Sequence, residues 1–302
     1  MNPTYRPGTL ADARAVYDVF VQTTADLEHR IGTPEGEKIW TDPASIADYW
    51  ERRQTLFEHV ARTAEQFWVA ENEGQIIGYA RSTLHDGVRE LLEYFVLPGH
   101  QARGVGRELL ARAFPAEGTR HRAIIATTDV RALVCYLKSG VYPRFPIYYL
   151  YRKPEPVKIE TDLVFRSVTA GPETLSTIRA IDQAILGFAR DADHKFLLHD
   201  RPAYLFYRGD QVVGYGYFGK GTGPIALLNE SDFPAVLARA EAEAAARNEE
   251  DFGMQVPLIN RAAVDYLLRR SFQLEAFTVL FMSDHAFGKF ENYILSSPPF
   301  FM

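Results

Sequence analysis

The chain has 302 residues, enough for about two ordinary domains, and its 47% hydrophobic and 24% charged content suits a globular protein with a sizeable core. Lys and Arg number 33 against 39 Asp and Glu, a formal charge of −6 that argues against a general nucleic-acid binder, which needs a basic footprint. The single cysteine, Cys135, excludes an intrachain disulfide framework, and neither an apolar leader in MNPTYRPGTLADARAV nor a run of about 18 apolar residues is visible, so the expected setting is cytoplasmic, without a membrane.

In chain order, YRPGTLADARAVYDVF (5–20) reads as a short strand, a Thr-containing turn and an amphipathic helix. Residues 28–60 add a helix and a long loop carrying Trp40, Trp50 and Phe57, either core aromatics or a lid over an acceptor. FWVAENEGQIIGYARS (67–82) is predicted as a hairpin turning at Glu73-Gly74. LLEYFVL (91–97) is a buried strand stopped by Pro98 and Gly99. From Gly106 a helix places Leu109, Leu110, Ala113 and Phe114 on one face before Pro115. AIIATT (123–128) is a further strand, and DVRALVCYLKSGV (129–141) a capped helix.

The same pattern then recurs. FRSVTAGPETLSTIRAID (165–182), AYLFYRGDQVVGYGYF (203–218) and NRAAVDYLLRRSF (260–272) follow in the order of their first-half counterparts. Two copies of one α/β fold are expected: residues 1–153 and 163–285, joined by a polar linker at 154–162 in the Pro-containing stretch RKPEPVKIET. The aromatic tail, 286–302, belongs to neither copy and reads as a segment packed on the body.

QARGVGREL (101–109) lies between a strand and a helix. A helix N-terminus presents unpaired N–H groups and a favourable dipole to an anion, glycine permits close approach, and Arg103 and Arg107 add charge. Taken alone, so short a motif reads as a plain strand-to-helix turn. It is not a dinucleotide fingerprint, because Leu109 stands where the third glycine would fall.

The run Val96, Pro98, Gln101, Gly104, Gly106, followed by Asp129, Ala132, Tyr136 and Gly140, resembles the two cofactor motifs of the GNAT N-acetyltransferases. The resemblance covers roughly residues 4–152 and, in degenerate form, 163–284. It implies two tandem GNAT-like α/β (α+β) domains, each a twisted, mixed, mostly antiparallel sheet flanked by helices. It also implies acetyl-CoA as co-substrate. Backbone groups at Tyr94, Phe95 and Val96 would align the pantetheine arm, and Gln101, Ala102, Arg103, Gly104, Val105, Gly106 and Arg107 would hold the diphosphate. Tyr136 matches the residue that protonates the departing thiolate. Asp129 stands where the family usually has Asn; a carboxylate only accepts, so its expected work is that of an N-cap. Glu90 and Glu93 are the candidates for general base, Glu90 falling where some histone-modifying members place theirs. A regular strand would point residues three apart to opposite faces, but family members carry a bulge here.

In the second copy the cradle position reads NESDFP (229–234). It has no glycine, two carboxylates that repel a diphosphate, and Pro234, which lacks a donor; Leu267 replaces the tyrosine. One cofactor site per chain is expected. The eight histidines lack metal-ligand spacing, so no metal is expected. The functional expectation is acetyl transfer to an amine, more readily a small molecule than a protein, by direct attack in a ternary complex. The rival is an acyl-CoA-binding sensor or interaction module without chemistry. Twin copies can mimic a dimer, so a monomer or weak homodimer is expected.

Overall fold

A computed structural model describes residues 3–158, 160–219 and 221–296. The chain divides into two compact units, residues 1–124 with 129–141, and residues 125–128 with 142–302. No described helix is long and apolar enough to cross a membrane.

The first unit contains β1 (Thr4–Pro7), α1 (Ala13–Ile31), α2 (Pro34–Thr41), α3 (Pro43–Thr63), β2 (Gln66–Asn72), β3 (Gln75–His85), β4 (Val88–Val96), α4 (Val105–Ala113), the start of β5 (His121–Thr127) and α5 (Val130–Lys138). Helix α1 buries Val16, Tyr17, Phe20 and Leu27 at helical spacing and ends at Gly32, whose left-handed backbone returns its N–H to Glu28 and His29. Helix α3 starts sharply because Asp42 accepts from the Ser45 N–H at 2.9 Å and Pro43 occupies its first position. Strands β1 to β4 form an antiparallel meander, and β5 joins β4 in parallel. The turn between β2 and β3 places Glu73 and Gly74 at positive φ, the two-residue geometry that suits strand twist.

One irregularity in this sheet decides which of its side chains share a face. Arg81 pairs with Glu93 and Ser82 with Leu91, so Leu92 is an extra residue in β4. Tyr79, Arg81 and Thr83 therefore share a face with their partners Phe95, Glu93 and Glu90. That face meets α1 and α3: Phe20 lies edge-on to Phe95 at 5.4 Å, and Arg81 donates to the Phe57 carbonyl at 3.1 Å. The other face meets α4, where Ser82 donates to the Ala113 carbonyl.

The second unit contains β6 (Tyr142–Arg152), β7 (Leu163–Val168), α6 (Pro172–Ile185), α7 (Asp191–Asp200), β8 (Ala203–Arg208), β9 (Gln211–Tyr217), β10 (Ile225–Leu227), α8 (Phe233–Ala246), β11 (Phe252–Pro257), α9 (Arg261–Arg269), β12 (Gln273–Ser283) and β13 (Tyr293–Ile294). Strand β6 runs antiparallel to both β11 and β12, which is why the compact units divide after Val141 instead of at residue 153. The other sheet has the order β13-β10-β9-β8-β7. The tail supplies β13, and Phe287 and Phe290 pack on Phe281 at 5.7 and 4.5 Å. Residues 297–302 of that tail lie outside the described residues.

Leu150, two residues before the end of β6, is fully buried in one cluster with Phe206, Leu237 and Met254. Leu150→Ala is expected to lower stability by about 2–5 kcal/mol, read from the urea midpoint at unchanged slope.

Candidate active site

Strand β4 ends at Val96, and the chain immediately folds back. Gln101 secures the turn by donating its amide to the Val96 carbonyl at 2.8 Å. Ala102 and Gly104 then take left-handed conformations, with φ of 61° and 87°. That is uncommon for alanine and natural for glycine. Gly104 is the N-cap of α4 and has no side chain with which to cap it. The first backbone bond into the helix is Glu108 N–H to Gly104 O at 3.1 Å. Among the described residues the N–H groups of Val105, Gly106 and Arg107 have no acceptor. Arg103 and Arg107 stand exposed beside them. Successive outward N–H groups and two cations form an anion cradle.

The second unit builds the corresponding junction differently. Asn229 accepts from the Ser231 N–H at 3.1 Å, and Asp232 pairs with Arg208 at 2.7 Å. Pro234 lies in the first turn of α8. Side chains of the chain itself thus occupy that junction, and Glu230 and Asp232 set negative charge where α4 has arginines.

The space that a Cβ at Gly106 would need is held by the Tyr94 hydroxyl. Gly106 therefore lets Tyr94 approach the helix, which differs from the direct approach of a diphosphate expected for it. Tyr94 lies on the α4 side of the sheet, with its ring 5.8 Å from that of Tyr136 on α5. Burial, then the neighbouring Cys135 and Tyr136, push the Tyr94 hydroxyl up from its ordinary range. Burial likewise pushes Tyr136 up, with Cys135 and Asp129 adding to it, so both hydroxyls stay protonated at neutral pH. Cys135 is a half-buried free thiol beside Tyr94. Phe95 points the other way and packs on Tyr79 at 5.6 Å.

Between these tyrosines and the cradle runs an open backbone edge. The parallel pairing of β4 with β5 extends from Val88↔His121 to Leu91↔Ile124 and stops. Leu92 to Val96 have β3 on one side and, among the described residues, no paired strand on the other. The bulge at Leu92 marks this change. The structure thus brings the backbone of Tyr94, Phe95 and Val96, the Gln101–Arg107 cradle and Tyr136 into one unit.

The three carboxylates fall elsewhere. Asp129 caps α5 by accepting from the Arg131 N–H at 3.0 Å, and pairs with Arg30 at 2.9 Å. Burial raises its carboxyl, but Arg131 and Arg30 outweigh that and hold it below the usual range. Glu90 is buried on the face toward α1 and α3. Glu93 shares that face; it pairs with Arg81 and accepts from the Tyr79 hydroxyl at 3.1 Å. Arg81 is fully buried and lies over Phe67, Tyr79 and Phe57 at 5.0 to 5.6 Å. Sequence patterning does not single out Arg81; its one signal is a lone cation inside the apolar hairpin run IIGYARS. Glu93→Gln leaves that guanidinium uncompensated and is expected to cost about 3–5 kcal/mol, while the double variant Glu93→Leu, Arg81→Met recovers most of the loss in urea unfolding.

Residues 31–140 match the family model described as the acetyltransferase (GNAT) family. Among curated proteins, none matches the chain. Among solved structures, one from Pyrococcus horikoshii described as an acetyltransferase is 15% identical, with 97% of this chain and 93% of that one covered, at a TM-score of 0.70. A tandem GNAT protein from the clavulanic acid biosynthesis pathway is 13% identical over 93% of this chain and 98% of its own, at a TM-score of 0.58. A GCN5-related N-acetyltransferase from Sphaerobacter thermophilus is 14% identical over 93% and 95%, at 0.56. Residues 31–140 therefore match a GNAT-family domain, and along its length the chain has the fold of tandem GNAT proteins.

Proposed function

We propose that the first unit transfers an acetyl group from acetyl-CoA to an amine by direct attack. The observation that carries this reading is a continuous set of unsatisfied groups. The open edge of β4 leads into the uncapped turn of α4, with a protonated tyrosine beside it, and the second unit closes its corresponding turn with its own side chains.

The N–H groups of Val105, Gly106 and Arg107, with Arg103 and Arg107, hold the diphosphate. The edge of Tyr94 to Val96 takes the amides of the pantetheine arm and offers an N–H to the thioester carbonyl. Tyr136 gives its proton to the sulfur as the thiolate leaves; its raised affinity for that proton keeps the acid form in place until then. Glu93, held by Arg81 and Tyr79, serves as a positioning residue under the strand, and the proton of the amine leaves to solvent. A covalent intermediate is not invoked, since Cys135 neighbours a neutral tyrosine hydroxyl instead of a base. The acceptor is a small amine entering on the side of α1 to α3, and the protein works in the cytoplasm as a monomer or weak homodimer.

A thiol-release assay across a panel of amines tests this. Tyr136→Phe is expected to lower kcat by about 100- to 10,000-fold with little change in KM for acetyl-CoA. Arg107→Glu is expected to raise that KM about tenfold or more, with kcat retained. A chain that binds acetyl-CoA yet releases no CoA above the rate in water, with every amine, has the sensor's role instead.

A further inference from the structure

The two hairpins that precede the cradle positions align residue for residue. QIIGYAR (75–81) matches QVVGYGY (211–217), so Gly78 corresponds to Gly214. Gly78 pairs with Val96 and Gly214 with Leu227, so Leu227, Ala226 and Ile225 hold the places of Val96, Phe95 and Tyr94. In the first unit the far edge of that strand is open. In the second it is taken: Ile225 pairs with Ile294, and Ala226 with Tyr293, antiparallel.

The occupying segment is held along its length. Asn292 donates its amide to the Leu227 carbonyl at 2.7 Å, and the Leu295 N–H donates to Gln255 O of β11 at 3.1 Å. Asn260, which matches Asp129, donates Nδ2 to the Tyr293 carbonyl at 3.2 Å while its Oδ1 accepts from the Ala263 N–H at 3.0 Å. Tyr293, Ile294 and Leu295 are fully buried. Gly223 is shaped around them: its φ is 107°, and a Cβ there would run into the Leu295 carbonyl. The segment thus lies between β10 and β11, the counterparts of β4 and β5.

We propose that residues 292–295 are a built-in occupant of the pantetheine groove of the second copy. A pantetheine arm and a peptide strand are chemically alike in this respect, since both are extended chains whose spaced amides hydrogen-bond to a strand edge. The proposal rests on reading the first unit as the acyl-CoA site. It assigns the asymmetry between the copies to two devices, a cradle position capped and made acidic by its own side chains and a groove filled from within. It also gives Asn260 the donor role that the carboxylate of Asp129 cannot perform.

Hydrogen exchange on the full-length chain tests it, with CoA and pantetheine as probes. In wild type, CoA is expected to protect residues 92–107 and to leave 225–234 and 293–295 unchanged. Gly223→Ala is expected to expel the segment, speeding exchange at 293–295 about tenfold or more and letting pantetheine protect 225–227. Asn260→Asp, which keeps the cap on α9 and removes the donor, serves if the glycine variant does not fold and predicts the same pattern. A CoA footprint at 225–234 in wild type overturns the proposal. So does faster exchange at 293–295 without a pantetheine footprint, or unchanged exchange at 293–295 in both variants. A wild-type chain that CoA leaves unprotected at 92–107 sinks the reading of the first unit, while the response of the two variants to pantetheine still decides the fate of the groove.

Discussion

A strand in the middle of a sheet must find partners for the N–H and C=O groups on both of its edges, or surrender them to something else. Strand β4 finds them on both sides only as far as Leu91; beyond it, five residues face outward on one side. The bulge at Leu92, the reach of Tyr94 across to Gly106, and the fold-back fixed by Gln101 are all tied to where that pairing stops. An unpaired interior edge is expensive in water-poor surroundings, and an amide-bearing ligand or another piece of chain relieves it. The second unit takes the latter course, with Tyr293 and Ile294 paired to β10, while the first leaves its edge open.

The duplicated hairpin shows how a shared plan diverges while its electrostatics persist. Tyr79 and Tyr215 occupy the same place, and each donates to a buried carboxylate. In the first unit that carboxylate is Glu93 from the neighbouring strand, neutralised by Arg81 on the hairpin itself. In the second it is Asp182 from α6, neutralised by Arg190, with His194 at 2.7 Å and Tyr217 where Arg81 would be. Burial pushes Asp182 up, but the charges of His194 and Arg190 pull it below the usual range. A buried anion retained with a cation drawn from different elements indicates that the tyrosine hydroxyl fixes the need, and the surrounding helices supply the means.

Much of this is legible from spacing alone. Local features are plain, because they depend on neighbours in sequence. The hairpin at Glu73-Gly74 needs only turn chemistry, the cap at Asp129 only a polar residue before an apolar helix, and the loop of Gln101 to Arg107 only its glycines. What depends on register between distant strands is hidden. The shared face of Glu90 and Glu93 comes from one extra residue at Leu92, which no periodicity reveals. The pairing of Glu93 with Arg81 becomes visible only once β3 and β4 are laid side by side. The tail reads as a packed, aromatic segment, yet its course along β10 is set by an alignment of Ile294 with Ile225, residues far apart in the chain.

The position of β6 has a practical corollary. The polar, Pro-containing stretch after Arg152 invites a cut there, but β6 ends at that residue and lies between β11 and β12. Cleavage at the linker would strand β6 on the first fragment and leave the second with two long bare strand edges, ready to pair with any extended chain they meet. A fragment of the second copy that keeps β6 between β11 and β12 has to begin at Tyr142, on the far side of the apparent joint.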